Sequence, residues 1–185
     1  MVVEHGVTIL PLAPIMLRSL VEETSRGLQQ SALNTLRAIP YGGSPTDSAT
    51  LVTAATRFPH CLVQYYGLSE ALAPLASLSA GEHDSAAGDI LNGRNTFQAQ
   101  HILESTGRPI AGVELRFRSV DDSGDTTQGN FGEISVRSPV VTAGYWNRPE
   151  LTSAAIDAHG WFATGDLGKL DADGYLHLLN RKNDV

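Results

Sequence analysis

The stretch VQYYGLSEA, residues 63–71, decides the reading of this chain. An apolar, β-branched run ends in two tyrosines, and the next residues set a glycine, a hydroxyl and a carboxylate close together. A strand that only had to stop would need nothing more than a turn. One that stops with Tyr66, Gly67, Ser69 and Glu70 has the composition of a binding lip. Open parallel sheets hold their ligands beyond the carboxyl ends of their strands.

Working outward, the run Cys61–Tyr65 is the third of three short apolar strands, after Val7–Leu10 and Leu36–Ile39. Between the first two, Pro14 opens a helical pattern with Leu17, Leu20 and Val21 on one face and Arg18, Glu22 and Glu23 on the other. After the second, the spacing predicts Ser44 as N-cap, Pro45 as the first helical residue and Asp47 as the acidic partner, with the helix running to Phe58 before Pro59. Strand and helix in alternation predict an α/β fold: a partial parallel sheet with crossover helices. Residues 72–106 are rich in Ala, Ser, Gly and His without clear periodicity and read as irregular connection.

From Gly107 the texture changes. Val113–Val120 and Phe131–Arg137 read as strands around a turn-rich segment, and Leu167–Leu170 and Tyr175–Leu179 flank the turn Asp171-Ala172-Asp173-Gly174. A short helix is expected at Pro149–Ile156. The organisation predicted is an α/β part over 1–105, a β-rich, barrel-like subdomain over 106–180, and a hinge over 181–185.

Bulk properties narrow the function. With 185 residues, 42% hydrophobic and 18% charged, the chain is globular rather than disordered. A net charge of −7 argues against a nucleic-acid surface, and the single Cys61 excludes a disulfide framework or a cysteine metal cluster. VTILPLAPIML is apolar, but Glu4 and His5 stand where a signal peptide carries basic residues, and the run is too short and proline-broken to span a bilayer. The expectation is a cytoplasmic protein without a transmembrane segment.

Two glycine-bearing turns end strands here, YGGSP and YYGLSE. Glycine lets a flat ligand approach the backbone, Ser44 and the following amides offer donors, Tyr66 offers a ring, and Glu70 suits a hard cation such as Mg²⁺. Together they suit a purine nucleotide. A competing reading takes Gly67-Leu68-Ser69-Glu70-Ala71 as a nucleophile elbow with Ser69 attacking; Ala71 and Pro74 fit it poorly. Further on, Asp166 stands between Gly165 and Gly168, where a carboxylate can accept from a vicinal diol. Arg181, in the polar run after the last strand, could add donors to the same sugar or to a phosphate.

In order, GGSP, QYYGLSEA, TGRPIAG, GEISVRSP, GYW, GWFATGDLG, DGYL and NRKND resemble the core motifs of the AMP-forming acyl-CoA synthetases, within the adenylate-forming superfamily. The resemblance runs from about Glu4 to Val185. It implies that Gly42, Gly43 and Ser44 line the adenine and acyl pocket. Tyr66 would stack on adenine beside Gly67, Ser69 would contact the α-phosphate, and Glu70 would coordinate Mg²⁺, Ser69 and Glu70 being the catalytic candidates. Asp166, helped by Arg181, would hold the ribose, and Asp184 would mark the hinge. The implied substrates are a small-molecule carboxylic acid, ATP and coenzyme A, with fatty acid metabolism as the setting.

Departures from the pattern qualify this expectation. The family's phosphate loop and its C-terminal lid with a catalytic lysine have no counterpart in these residues, so the chain alone is expected not to adenylate. Asn180 and Asn183 replace a usual glycine and lysine. Exposed sheet edges are expected to favour self-association. An adenylation domain serving a carrier protein, or a truncated non-catalytic nucleotide-binding protein, remain alternatives.

Overall fold

The structure, a computed structural model, describes residues 2, 4–26, 33–71, 74–119, 124–126, 129 and 131–182. These residues form two compact units. One comprises residues 1–65 and 77–105, the other 66–76 and 106–185. The segment 66–76 thus groups with the β-rich residues, although it lies within the stretch expected to be α/β.

In the first unit, α1 (Pro14–Ser25) starts at its proline and buries Leu17, Val21 and Thr24. The strand β1 (Ile39–Gly42) lies a few residues later than the expected Leu36–Ile39. It pairs in parallel with β2 (Leu62–Tyr66) from Ile39 opposite Leu62 to Gly42 opposite Tyr65. The expected strand Val7–Leu10 is reduced to parallel bridges, Ile9 to Ala38 and Leu12 to Tyr41.

The helix α2 (Ser48–Arg57) begins later than expected, and its cap is Asp47 rather than Ser44. Asp47 Oδ1 accepts from the Thr50 N–H at 2.8 Å, and Oδ2 accepts from the Thr50 hydroxyl at 2.8 Å and from Arg18 at 2.7 Å. A carboxylate that can take three donors outcompetes the Ser44 hydroxyl as a cap.

The largest correction concerns residues 72–106. After the short β3 (Ala76–Leu78), two helices occupy most of that stretch, α3 (Ala80–Leu91) and α4 (Thr96–Glu104). Their buried positions are mainly alanine (Ala86 and Ala87 on α3, Ala99 on α4), with His83 on α3 and Leu103 on α4, so their apolar stripe is faint in sequence. The signal that marks α3 is Ser79-Ala80-Gly81-Glu82, a capping box in which the Ser79 hydroxyl takes the Glu82 N–H and Glu82 takes the Ser79 N–H. Inside this unit His83 is fully buried. Its Nδ1–H donates to Ser79 O at 2.8 Å, and its Nε2 accepts from the Tyr41 hydroxyl at 2.7 Å.

The second unit carries the two-residue β4 (Arg108–Pro109) and then an antiparallel sheet of β5 (Glu114–Arg118), β6 (Gly132–Arg137), β7 (Phe162–Leu170) and β8 (Leu176–Arg181), in that order. The helix α5 (Pro149–Ala155) precedes β7. Parallel pairing in one part and an antiparallel sheet in the other make the fold α/β with a β-rich portion. The Asp171–Gly174 turn joins β7 to β8: Asp171 Oδ1 accepts from the backbone N–H groups of Asp173 and Tyr175, and Gly174 takes φ +82°. The core of this unit joins Tyr66, Leu75, Ile134, Val136, Phe162 and Leu176, so the strand end that opened the reading is anchored in it.

Candidate functional site

The site in the second unit begins with a bulge. The register of β7 against β8 shifts between Asp166 and Gly168, directly after Gly165 at φ +72°. A bulge re-aims the side chain beside it. At Gly168 a Cβ would stand 2.6 Å from His177 O, so the close approach there requires glycine.

The consequence is a contact across a hundred residues of sequence. The Tyr66 hydroxyl donates to Asp166 Oδ2 at 2.7 Å. Arg181 Nε lies 3.3 Å from Asp166 Oδ1, and the two residues are paired across the β-ladder. Arg181 is thus the last residue of β8 and not part of a polar run beyond it; the ladder continues past the bulge far enough to include it. Burial, reinforced by the charge of Asp166, raises the Tyr66 phenol far above its ordinary range, so it remains a donor at any physiological pH. The Asp166 side chain keeps 13% of its surface accessible and Arg181 keeps 67%, leaving oxygen lone pairs and guanidinium N–H groups to meet a ligand. Tyr66 itself is only 6% exposed. The residue is largely core and offers a ligand little open surface.

Gly67 and Ser69 follow on the exposed surface, with Glu70 partly buried. Ser69 has no hydrogen-bond partner among the described residues, so the nucleophile reading finds no base for it. Glu70 is held twice. Its carbonyl accepts from the Thr142 N–H at 2.7 Å, and its Oε1 accepts from the Tyr145 hydroxyl at 2.9 Å. Burial, then the Glu70 carboxylate, raises the Tyr145 phenol above its ordinary value. Glu70 Oε2 has no partner among the described residues. A carboxylate with one oxygen fixed and one open fits Mg²⁺, which binds through one or two carboxylates and completes its shell with water and phosphate oxygens.

The first unit holds the other predicted residues. Gly42 ends β1 where a Cβ would come within 2.2 Å of Tyr65 O. Gly43 follows at φ +91°, in open space, and Ser44 is exposed. Asp184 and Asn183 lie outside the described residues. Sequence reasoning missed Tyr145 as a functional candidate; the GYW motif was its only signal.

Comparison with known proteins identifies the family. The profile of the family described as "AMP-binding enzyme" matches residues 1–146. A medium/long-chain-fatty-acid–CoA ligase of Mycobacterium tuberculosis, FadD8, is 33% identical over 98% of this chain and 28% of its own length. Among solved structures, the amide bond synthetase McbA of Marinactinospora thermotolerans superposes with a TM-score of 0.80 at 36% identity, over 98% of this chain and 33% of that one. O-succinylbenzoate coenzyme A synthetase (MenE) of Bacillus subtilis in complex with AMP gives 0.76 at 30%, over 99% and 33%. The same enzyme with ATP and magnesium ion gives 0.75 at 29%, over 100% and 34%. The chain belongs to the AMP-binding enzyme family, within the adenylate-forming superfamily that its motifs resemble. It spans about a third of the length of the relatives it matches. No helix among its described residues is long and apolar enough to cross a membrane.

Proposed function

We propose that this chain is the nucleotide-holding part of an ATP-dependent carboxylate–CoA ligase. The observation that carries the reading is the Tyr66–Asp166–Arg181 cluster, which joins the strand-end lip to a largely covered carboxylate. Asp166 accepts from the two ribose hydroxyls of adenosine, and Arg181 reinforces that contact. Tyr66 and the backbone at Gly67 border the adenine, and Ser69 donates to the α-phosphate. Magnesium, when bound at Glu70, neutralises charge on the phosphates.

In the first half-reaction a carboxylate oxygen attacks the α-phosphorus of ATP. The new C–O–P bond forms as the bond to the β-phosphate oxygen breaks, releasing pyrophosphate. In the second, a coenzyme A thiolate attacks the acyl carbonyl and AMP leaves. The contribution of these residues is positioning and charge stabilisation around the phosphates. The substrate is a small-molecule carboxylic acid whose acyl group can be uncharged, fatty acids among the candidates. The compartment is cytoplasmic, where the buried Cys61 remains a thiol. The likeness to an amide bond synthetase favours a second reading for the acceptor, an amine in place of the thiol.

Isothermal titration of the chain with AMP tests the core of the proposal. The wild-type chain gives saturable heat, and Asp166→Ala abolishes it. Absence of heat from the folded wild type refutes the reading.

A further inference from the structure

We propose that Tyr145 is a positioning residue for Glu70, holding one carboxylate oxygen so that the other is free for magnesium. The inference rests on the nucleotide reading above and adds a residue to it.

The support for Tyr145 is built from its own loop. Gly144 takes φ +147°, and a Cβ there would stand 2.6 Å from Thr152 Cγ2, so only glycine lets the chain pass α5 this closely. That approach allows the Tyr145 N–H to donate to Thr152 Oγ1 at 2.9 Å, while Thr152 Oγ1 donates to Arg148 O at 3.0 Å. On the other side, Thr142 Oγ1 accepts from the Gly144 N–H at 3.2 Å and donates to Gly144 O at 3.1 Å. The backbone of Tyr145 is therefore fixed from both directions before its side chain reaches anything.

The same loop then grips Glu70 at two levels. Val141 bridges Ala71 in antiparallel fashion and the Thr142 N–H takes Glu70 O, which fixes the main chain. The Tyr145 hydroxyl takes Glu70 Oε1, which fixes the end of a side chain with three rotatable bonds. A glutamate on an exposed lip otherwise samples many rotamers, and each must be frozen when a cation binds. Holding one oxygen in advance removes part of that entropic cost and leaves Oε2 as the ligand.

The test uses the whole chain and calorimetry, with AMP in EDTA and ATP with or without MgCl₂ as probes. Tyr145→Phe keeps the ring and loses the hydroxyl. It weakens the magnesium-dependent gain in ATP affinity by about tenfold or more, the scale of one hydrogen bond to a charged group, and leaves AMP affinity in EDTA unchanged. Glu70→Gln abolishes the gain. In the Glu70→Gln background Tyr145→Phe has no further effect, because Tyr145 acts only through Glu70. A Tyr145→Phe chain with wild-type magnesium dependence overturns this inference alone. Equal weakening of AMP and magnesium–ATP also overturns it, since that is a general structural loss. A wild-type chain that binds no AMP overturns the nucleotide reading and this one with it.

Discussion

Replacing Tyr66 by phenylalanine removes one oxygen and leaves the ring in its core position. The Asp166 carboxylate, 13% exposed, then loses its 2.7 Å donor. A hydrogen bond to a charged group contributes about 1.5–3 kcal/mol, and losing one partner leaves the other short of solvation. Arg181 remains 3.3 Å from the other oxygen, but at 67% exposure its help is screened and small. The cost is therefore about 2 kcal/mol, which for a chain of this size lowers Tm by about 4–8 °C. AMP affinity falls about tenfold, because the carboxylate that meets the ribose is no longer held. Urea denaturation and thermal melts measure the first effect, and calorimetry the second. A Tyr66→Phe chain within about 0.5 kcal/mol of wild type, with AMP affinity intact, would refute the reasoning.

Other perturbations separate the two units. Asp47→Ala removes the α2 cap and destabilises by about 1 kcal/mol at pH 7 in urea unfolding. Hydrogen bonds from Thr50 hold this carboxyl below its ordinary value of 3.8, so its contribution is present above that pH and lost as pH falls through the lower folded value, below which wild type and variant converge. Burial lowers the pKa of His83 below 6.5, against smaller opposing effects from the Ser79 carbonyl, Asp84 and Glu82, and the Tyr41 hydroxyl faces its ring. The neutral form is the stable one, so stability is full above pH 6.5 and falls below it by up to about 1.4 kcal/mol per pH unit, a slope that His83→Gln flattens in denaturation profiles at pH 7 and 5. Gly42→Ala drives a Cβ into Tyr65 O and opens the β1–β2 pairing at a cost of about 3 kcal/mol, whereas Gly43→Ala, strained at φ +91° but unobstructed, costs about 1 kcal/mol in the same assay.

What the sequence made legible depended on the kind of signal. Pro14 and Pro149 marked helix starts because their fixed φ and missing N–H suit a first turn. Asp171–Gly174 marked a hairpin by its turn chemistry. The pair α3 and α4 was hidden because three of the buried positions are alanine and one is histidine, leaving Leu103 as the large apolar marker. Ser44 looked like a cap because a hydroxyl before a proline usually is one; the alternative depended on Arg18, 29 residues earlier in sequence and 2.7 Å from Asp47. The residue types of the site were readable at Tyr66, Glu70 and Asp166. Their joining was not, since no local pattern encodes a bulge that turns Asp166 toward a tyrosine a hundred positions away. Tyr145 stood in the GYW motif, but its contact with Glu70, 75 positions away, was illegible for the same reason.

The account stands on Asp166 reading the ribose diol of an adenosine beside Tyr66. Calorimetry with AMP and with 2′,3′-dideoxy-AMP, on the wild-type chain and on Asp166→Asn, measures that claim directly. The account predicts that the wild type prefers AMP by about tenfold or more and that Asp166→Asn loses the preference. Equal affinity of the folded wild-type chain for the two nucleotides would contradict it.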